Sequence, residues 1–466
     1  MNQERANMVR VWIGWLSALC LITGCFTSPR IVAAQTADLL QALARVSDGQ
    51  SDASPILQQW INSGIGHYQL AAGTYRLERT IEIDLNRSGF VALEGSSASQ
   101  LVMAGAGPAL RFTGSHLKSA DPAGFSPTVW EQERMPVVRS LAIRGAHPDA
   151  DGIEASGTMQ LTLSELHLRK LRHGVHLVNN NRNVLIDACH IYENSGIGIF
   201  YDNVNLHQSN IVGCHISYCD QGGIVSRQGN VRNIHITGCD IESNMSASTE
   251  PTANIFIDCR ESASGTAEVA ITGCTIQHND RGPQSANIRI IGLSKPSPTS
   301  GKVQEGNITI TGNVISDVQT NVWLESCRGV TLTGNTFWMG FEHNLLIEDC
   351  SHIVMAANNF DRNPRYDYGV AKAAKNRLLF RNSQDCTLTG LHISQVYETA
   401  ALTLVNCTRF NVSGLTILDC DVGLQLTNVS RSLFSSCLID NSRDGSKSSK
   451  VKVDGGSGNR FDFSFE

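Results

Sequence analysis

Four side chains suited to proton transfer stand in two short segments of the same pattern. Asp151 and Glu154 belong to D-G-I-E, and His173 and His176 belong to H-G-V-H. If these segments are adjacent strands, Asp151 faces His173 and Glu154 faces His176 at about 5 Å. A carboxylate beside an imidazole orients the ring and raises its pKa, which suits a general acid or base near neutral pH. Charge pairs that only hold adjacent strands together are the alternative interpretation.

The same pattern of residues recurs in later segments, each of which begins with Gly or Asn. The first and third residues after this position are mostly apolar, so the second and fourth face outward. Aromatic rings offer flat apolar surfaces to sugars, and a guanidinium makes paired bonds to uronate or sulfate groups. The predicted substrate-binding residues are Phe200, Asp202, Arg227, Phe256, Asp258, Arg289 and Trp323. They predict a groove for an anionic polysaccharide; a solvated sheet with Asp202–Arg227–Asp258 ion pairs is the alternative.

A second recurring phrase indicates what positions these residues. It consists of an apolar residue, a polar one, a small one, Cys or Asn, another residue and a closing apolar residue. It occurs at 186–191, 211–216, 236–241, 271–276, 310–315, 332–337 and 355–360. Repeats spaced about 20–50 residues apart indicate a solenoid. Short strands with no helical periodicity between them indicate a parallel sheet. The predicted fold is all-β: a single right-handed parallel β-helix of about a dozen coils with a short helical amino-terminal cap.

Stacked coils place equivalent residues in columns. Four of the fourteen cysteines occupy one slot of successive phrases: Cys189, Cys214, Cys239 and Cys274. A column of buried free thiols is therefore expected instead of disulfides. Four asparagines begin successive strands: Asn254, Asn287, Asn321 and Asn344. They predict an amide ladder that satisfies buried turn groups.

The amino-terminal residues 1–34 read as an export signal and leader, with Arg5 and Arg10 before the apolar run 11–22. The run is short for a membrane span. Cleavage before Cys25 would leave a lipid-bearing cysteine and membrane attachment, whereas cleavage after Ala34 would release the chain. The protein is thus expected to be exported: secreted, periplasmic or lipid-anchored at the cell surface.

Residues 35–135 are predicted to form the cap and first coils, and residues 136–466 the β-helix repeats. Short helices are expected at 38–46 and 56–61 around a loop at 47–52. The order D-G-Q-S-D at 48–52, helix, then G-T-Y at 73–75 resembles the amino-terminal segment of the pectate-lyase-like superfamily. The resemblance continues over nearly the whole chain. It implies the β-helix and, less specifically, a polysaccharide hydrolase or lyase.

Particular members of that superfamily match less well. D-A-D-G-I resembles the polygalacturonase motif Asn-Thr-Asp-Gly, which would make Asp151 a catalytic acid. The resemblance then fails, since Arg172-His173 and Ile197 replace the aspartates and histidine expected on the next coils. Inverting hydrolysis needs two carboxyl groups about 6.5–9.5 Å apart. The Tyr-Gly-Phe-Asp-Pro-His run of alginate epimerases is absent.

No metal or other cofactor is predicted. Calcium-dependent lyases need clustered carboxylates, but Asp202 and Asp258 are two coils apart with Arg227 between them, which makes a poor calcium cage. The net charge of −6 gives no reason to expect a nucleic-acid partner.

Two hypotheses of function follow. The first is an exported polysaccharide hydrolase or lyase in which Asp151 and His173 transfer protons. The second is a non-catalytic surface protein that binds glycans or is structural. Insertions at 244–252, 279–285 and 361–375 are predicted to rise as walls beside the outward face, with the first and last enclosing Asp151 and His173.

Overall fold

A computed structural model shows the fold of most of the chain. It describes residues 29–118, 125–248, 252–282, 284–296, 303–443 and 449–464. These residues form one right-handed parallel β-helix whose strands lie in three stacks, here called the front, second and third sheets. Each strand pairs in parallel with the equivalent strand one coil away. The predicted fold class is confirmed, and the proposed leader lies mainly outside the described residues.

The strands distribute over the three sheets as follows. Front-sheet strands are Ile81–Asp84, Gly107–Thr113, Gly222–Arg227, Ala253–Asp258, Ala286–Ile291, Arg377–Arg381, Ala400–Val405, Val422–Thr427 and Ser449–Asp454. Second-sheet strands are His67–Gln69, Ala92–Glu94, Val137–Arg139, Thr162–Ser164, Asn230–Thr237, Gly265–Thr272, Gly306–Thr311, Arg328–Thr333, Val354–Ala356, Thr387–Thr389, Asn411–Ser413, Leu433–Ser435 and Arg460–Asp462. Third-sheet strands are Asp48–Asp52, Gly73–Leu77, Ser99–Met103, Ala142–Gly145, His167–Arg169, His190–Tyr192, His215–Ser217, Asp240–Glu242, Thr275–Gln277, Asn359–Phe360, His392–Ser394, Thr416–Leu418 and Leu438–Asp440. Long strands that bend between sheets are Ala150–Met159, Val175–Asp187, Ile197–Val212, Val314–Glu325 and Thr336–Glu348.

Helices cover the amino-terminal end. Those described are Pro29–Arg45, Ser54–Ile61 and Leu85–Ser88, with a π-helical turn at Val129–Glu133 and 3₁₀ turns at Pro364–Tyr366 and Gly369–Ala373. Trp60 packs edge-on against Tyr68 at 5.2 Å between ring centres, which seals the first coil. The expected loop at 47–52 is wrong: Asp48–Asp52 is a strand because it pairs with Gly73–Leu77 and starts the third sheet. Within the described residues, no helix is long and apolar enough to cross a membrane.

The predicted columns are present in the interior. The side-chain amides of Asn254, Asn287 and Asn321 donate in turn to the side-chain oxygens of Asn287, Asn321 and Asn344, each at 2.8 Å. None of the described cysteines forms a disulfide. All of them, including those of the recurring phrase, are buried except Cys437, which is half-buried. Burial raises the pKa of the Cys219 thiol to about 12, so this thiol is unreactive.

The glycine that begins the earlier front-sheet strands has a steric reason. A Cβ on Gly152 would lie 2.3 Å from the carbonyl oxygen of Gly174, and one on Gly174 would lie 2.6 Å from that of Gly198. Glycine therefore allows these coils to approach closely. Counted from this glycine, the side chains that follow point alternately toward the core and toward the front face.

Candidate functional site

The front face is the outward surface of the front sheet, and its main column is the predicted one. Backbone pairing aligns Glu154 with His176, His176 with Phe200, and so on along the stack. The column in order is Glu154, His176, Phe200, Val225, Phe256, Arg289 and Trp323. The predicted alignment of these residues in one column is therefore confirmed, although Val225, Phe256 and Arg289 are buried.

Asp151 occupies a different environment from the one predicted. Asp151 is only 1% exposed, whereas the predicted proton transfer needs a carboxylate that a substrate can reach. Arg172 donates to both carboxylate oxygens of Asp151, from Nε at 2.9 Å and from Nη2 at 2.6 Å, and the His173 backbone N–H donates at 3.0 Å. A bidentate arginine pair of this kind is strong and geometrically fixed. Asp151 thus holds the turn of the next coil in place.

His173 does not use its imidazole to pair with Asp151. Its Nδ1 accepts a hydrogen bond from the Ile197 backbone N–H at 3.1 Å, so Nε2 carries the ring proton. Burial lowers the pKa of His173 to about 4, although the Asp151 charge opposes this shift. The expected rise in pKa beside a carboxylate is wrong, because desolvation outweighs that charge. The ring is therefore neutral at neutral pH.

Glu154 and His176 are neighbours as predicted, but each has a stronger partner. His176 Nδ1 lies 3.8 Å from Glu154 Oε2, whereas His176 Nε2 lies 2.9 Å from Asp202 Oδ2. Glu154 itself accepts from Arg111 Nε at 2.6 Å. The His176 ring also stacks on Phe200, with 5.3 Å between ring centres and 4° between planes. Both imidazole nitrogens of His176 face carboxylates of neighbouring coils. The cluster therefore holds side chains of adjacent coils in place.

Phe256 is not the exposed platform that the sequence predicts. It is 1% exposed and belongs to a small apolar cluster on the outside of the front sheet. The guanidinium carbons of Arg227 and Arg289 lie 5.3 and 5.8 Å from the centre of its ring. These arginines contribute to covering the ring through cation–π contacts.

The alternative ion-pair ladder through Arg227 is also not formed. Asp202 pairs with His176, and Asp258 accepts two hydrogen bonds from the side chain of Arg260 at 2.9 and 2.6 Å. In the described part of the chain, Arg227 has no carboxylate oxygen within 4 Å. Arg260 was missed from sequence because it follows the strand and turns back onto it.

Arg289 and Trp323 form the most unusual contact of the front face. The Arg289 guanidinium carbon lies 3.8 Å from the centre of the Trp323 ring. Arg289 is 6% exposed, and its Nε and Nη1 have no hydrogen-bond partner. Burial lowers the pKa of this guanidinium, while the nearby Glu325 charge opposes the shift. A buried cation whose donors lack acceptors is costly, and its cation–π contacts with Trp323 and Phe256 offset part of this cost.

Trp323 also lines a cavity of about 410 Å³. The cavity lies between the front sheet and the insertion 279–285, which forms a wall as predicted. Its lining residues are Asp280, Arg281, Gly282, Gln284, Gln319, Thr320, Trp323, Glu342, His343 and Leu346. Lys375 neutralises Glu342 through a 2.7 Å ion pair, and burial lowers the pKa of His343 to about 4. The volume falls within the usual range of small-ligand sites.

The prediction of a cleft in which two insertions enclose Asp151 and His173 is wrong. Insertion 361–375 packs against Trp338, whose ring centre lies 3.9 Å from that of Tyr366. This insertion precedes the strand Arg377–Arg381, which is eight strand pairings from Ala150–Met159, or roughly 40 Å at about 4.8 Å per coil. Of insertion 244–252, the segment 249–251 lies outside the described residues.

This fold, with its outward-facing columns, defines a right-handed parallel β-helix protein. A family model described as "right handed beta helix region" matches residues 137–260 and 262–384, more than half of the chain. The chain belongs to this family. No curated protein sequence matches it significantly.

Solved structures of similar outline have diverse activities. The mannuronan C-5 epimerase AlgE4 A-module of Azotobacter vinelandii is 13% identical with a TM-score of 0.41, covering 91% of this chain and 97% of the epimerase module. The tailspike protein gp49 of Pseudomonas phage LKA1 is 13% identical with a TM-score of 0.48, covering 88% and 77%. PfbA, a surface adhesin of Streptococcus pneumoniae, is 12% identical with a TM-score of 0.39, covering 89% and 91%. These likenesses carry no inference about activity.

Proposed function

We propose that the protein binds an anionic glycan on its front face, with one sugar ring in the cavity beside Trp323. The observation that carries the proposal is the position of Trp323, which lines this cavity and stacks on the hydrogen-bond-deficient Arg289. The indole offers an apolar face to the sugar, and Arg281, exposed at the same cavity, offers donors to its carboxylate or sulfate group. Arg289 supports the indole by stacking on it.

The binding proposal is tested by titrating the purified protein with acidic and neutral polysaccharides in a calorimeter. At least one acidic polysaccharide is expected to bind, and Trp323→Ala is expected to weaken that binding about tenfold because the stacking surface is lost. Trp130→Ala is the control, since Trp130 is an exposed tryptophan near the amino-terminal end that does not line the cavity. Equal affinity of Trp323→Ala and the unchanged protein would contradict the proposal, as would failure of the whole acidic panel to bind.

A hydrolase or lyase is the second candidate function. It is favoured by the neutral imidazole of His173, which lies 5.3 Å from both His176 and Phe200 between ring centres. Through its Nε2–H, a neutral imidazole can donate a hydrogen bond to the negative charge that develops on a substrate oxygen, without giving up the ring proton. His173 and His176 are five strand pairings from Trp323, roughly 24 Å at about 4.8 Å per coil, so they would form a separate site.

Catalysis is tested on the same panel through the release of reducing ends and the ultraviolet absorbance of unsaturated uronates. An enzyme that uses this group would lose its signal in His173→Ala. Retained turnover in this variant would reject His173 as a catalytic residue. Binding without any product would leave the glycan-binding function alone.

We further propose that the protein is exported and that residues 1–34 are its leader. The support is the composition of the segment, with Arg5 and Arg10 preceding an apolar run. Mass spectrometry of the mature protein distinguishes a lipid-modified Cys25 at the new amino terminus from cleavage after Ala34. An intact Met1 on protein recovered from cells would refute export by this leader.

A further inference from the structure

The third sheet carries a histidine and two carboxylates that its stacking brings together. Backbone pairing aligns His215 with Asp240 on the next coil, and Glu242 lies at the end of the same strand as Asp240. Because their side chains alternate with buried ones, all three face outward from the third sheet. They are partly exposed, and the glycan-binding proposal for the front sheet does not use them.

The distances within this group suit a shared cation better than direct hydrogen bonds. His215 Nε2 lies 3.6 Å from Asp240 Oδ2 and 3.7 Å from Glu242 Oε1. Hydrogen bonds between such atoms are shorter, at about 2.7–3.2 Å. Two ligands each about 2.0–2.2 Å from a tetrahedral zinc ion lie roughly 3.3–3.6 Å apart. One ligand atom from each residue can contact the same ion, since these three atoms lie within 4.8 Å of one another.

The remaining contacts orient the group. His215 Nδ1 lies 2.7 Å from the Tyr192 hydroxyl, which fixes the ring and leaves Nε2 toward the carboxylates. Ligating histidines commonly have their second nitrogen held in this way. Gln277 Nε2 donates to Glu242 Oε2 at 3.3 Å, and Ser217 Oγ lies 3.3 Å from His215 Nε2.

The carboxylates are only partly stabilised by the protein itself. Asp240 Oδ1 is buried and has no hydrogen-bond partner. The Asp240 and Glu242 carboxylates lie close enough to repel each other. A bound cation would remove this repulsion and use the available oxygen atoms.

We propose that His215, Asp240 and Glu242 form a binding site for a divalent transition metal of the zinc class. An imidazole nitrogen with two carboxylate oxygens suits such an ion, whereas calcium and magnesium prefer oxygen ligands alone. Three protein ligands leave a fourth position for water. The sequence predicts no metal because Asp202 and Asp258 make a poor calcium cage; the present ligands come from two coils of the third sheet instead.

The site is tested by titrating the chelator-treated full chain with Zn²⁺ in a calorimeter. One Zn²⁺ per chain is expected at this site, and His215→Ala is expected to weaken binding more than tenfold. Asp240→Asn should weaken binding similarly, and Tyr192→Phe about tenfold because it only orients the ligand. Co²⁺ provides a second readout, since its visible absorption on binding should be lost in His215→Ala.

His235→Ala is the control, because His235 is exposed on the second sheet and pairs with Asn210. The metal-free variants should melt at the temperature of the unchanged protein, and Zn²⁺ should raise the melting temperature only where the site is intact. Absence of saturable Zn²⁺ binding would overturn the proposal. Equal Zn²⁺ affinity in His215→Ala, or equal loss in His235→Ala, would also overturn it.

Discussion

Asp151 and Arg172 show how a buried carboxylate stabilises this fold. The bidentate pair and the His173 backbone N–H satisfy the carboxylate where one coil passes to the next. Its D-G sequence looks like a catalytic motif, but nothing in the sequence shows that the neighbouring arginine folds back onto it. The carboxylate is therefore structural.

Asp151→Asn is expected to lower the free energy of unfolding by about 2 kcal/mol, because a buried charge pair loses one partner. Urea denaturation measures the change. Asp149→Asn is the control, since that side chain is 61% exposed and two residues away. Similar small effects of the two substitutions would show that the buried pair contributes little.

The two desolvated histidines should make stability depend on pH. The pKa of His173 and that of His343 lie at about 4 in the folded protein, against an ordinary 6.5. The unfolded chain therefore binds more protons between these values, and stability falls as the pH drops from about 6.5 to about 4. Each histidine should contribute on the order of 2 kcal/mol to this loss.

The measurement is urea denaturation at a series of pH values in that window. A His173→Gln, His343→Gln double variant should lose less stability on acidification than the unchanged protein, whereas His235→Gln should behave like the unchanged protein. Parallel pH profiles for all three would contradict the assignment.

At the scale of elements, the columns of identical side chains join neighbouring coils at their turns. A second amide column runs through Asn313, Asn335 and Asn358, in continuation of the cysteine column. Asn358 Oδ1 accepts from both the backbone N–H and the side-chain amide of Asn335, and its own amide donates to the Leu332 carbonyl at 2.9 Å. Each asparagine thus satisfies one backbone N–H and one backbone carbonyl of the preceding coil.

Asn358→Ala should destabilise the protein by about 2–3 kcal/mol, because buried donors and acceptors lose their partner. Asn359→Ala is the adjacent control, since Asn359 is exposed in the strand Asn359–Phe360. Thermal melting of the pair checks the prediction. A smaller loss for Asn358→Ala than for Asn359→Ala would show that the ladder is not stabilising.

At the scale of the whole molecule, the two ends of the β-helix differ. Helices cover the first coil, whereas the last coils leave Leu433, Leu438 and Val453 at 37%, 56% and 51% exposure. In a solenoid, each coil is stabilised mainly by its neighbours, so a coil with one neighbour is less stable. The carboxyl-terminal coil should therefore open most easily.

Hydrogen–deuterium exchange measured by mass spectrometry tests this asymmetry. The strands Ser449–Asp454 and Arg460–Asp462 should exchange faster than the first-coil strands Gly73–Leu77 and Ile81–Asp84. Equal protection at both ends would mean that the helices add little stability.

The repeated residues predict the fold, the facing of the side chains and the ladders because each depends on periodicity alone. The candidate site is less predictable. Arg172, Arg260 and Arg289 reach their partners through long side chains, and the sequence does not show whether such a chain turns inward or toward solvent. Phe256 is buried for the same reason, since arginines on adjacent coils cover it.

Equivalent residues recur at whole turns, as Ile199 beside Ile224 shows. Gene duplication or deletion between such positions would lengthen or shorten the rod by complete units without disturbing the packing on either side. An extended partner that lies along the rod therefore contacts equivalent residues spaced about 4.8 Å apart. The distance between two such contacts can change only by multiples of that spacing.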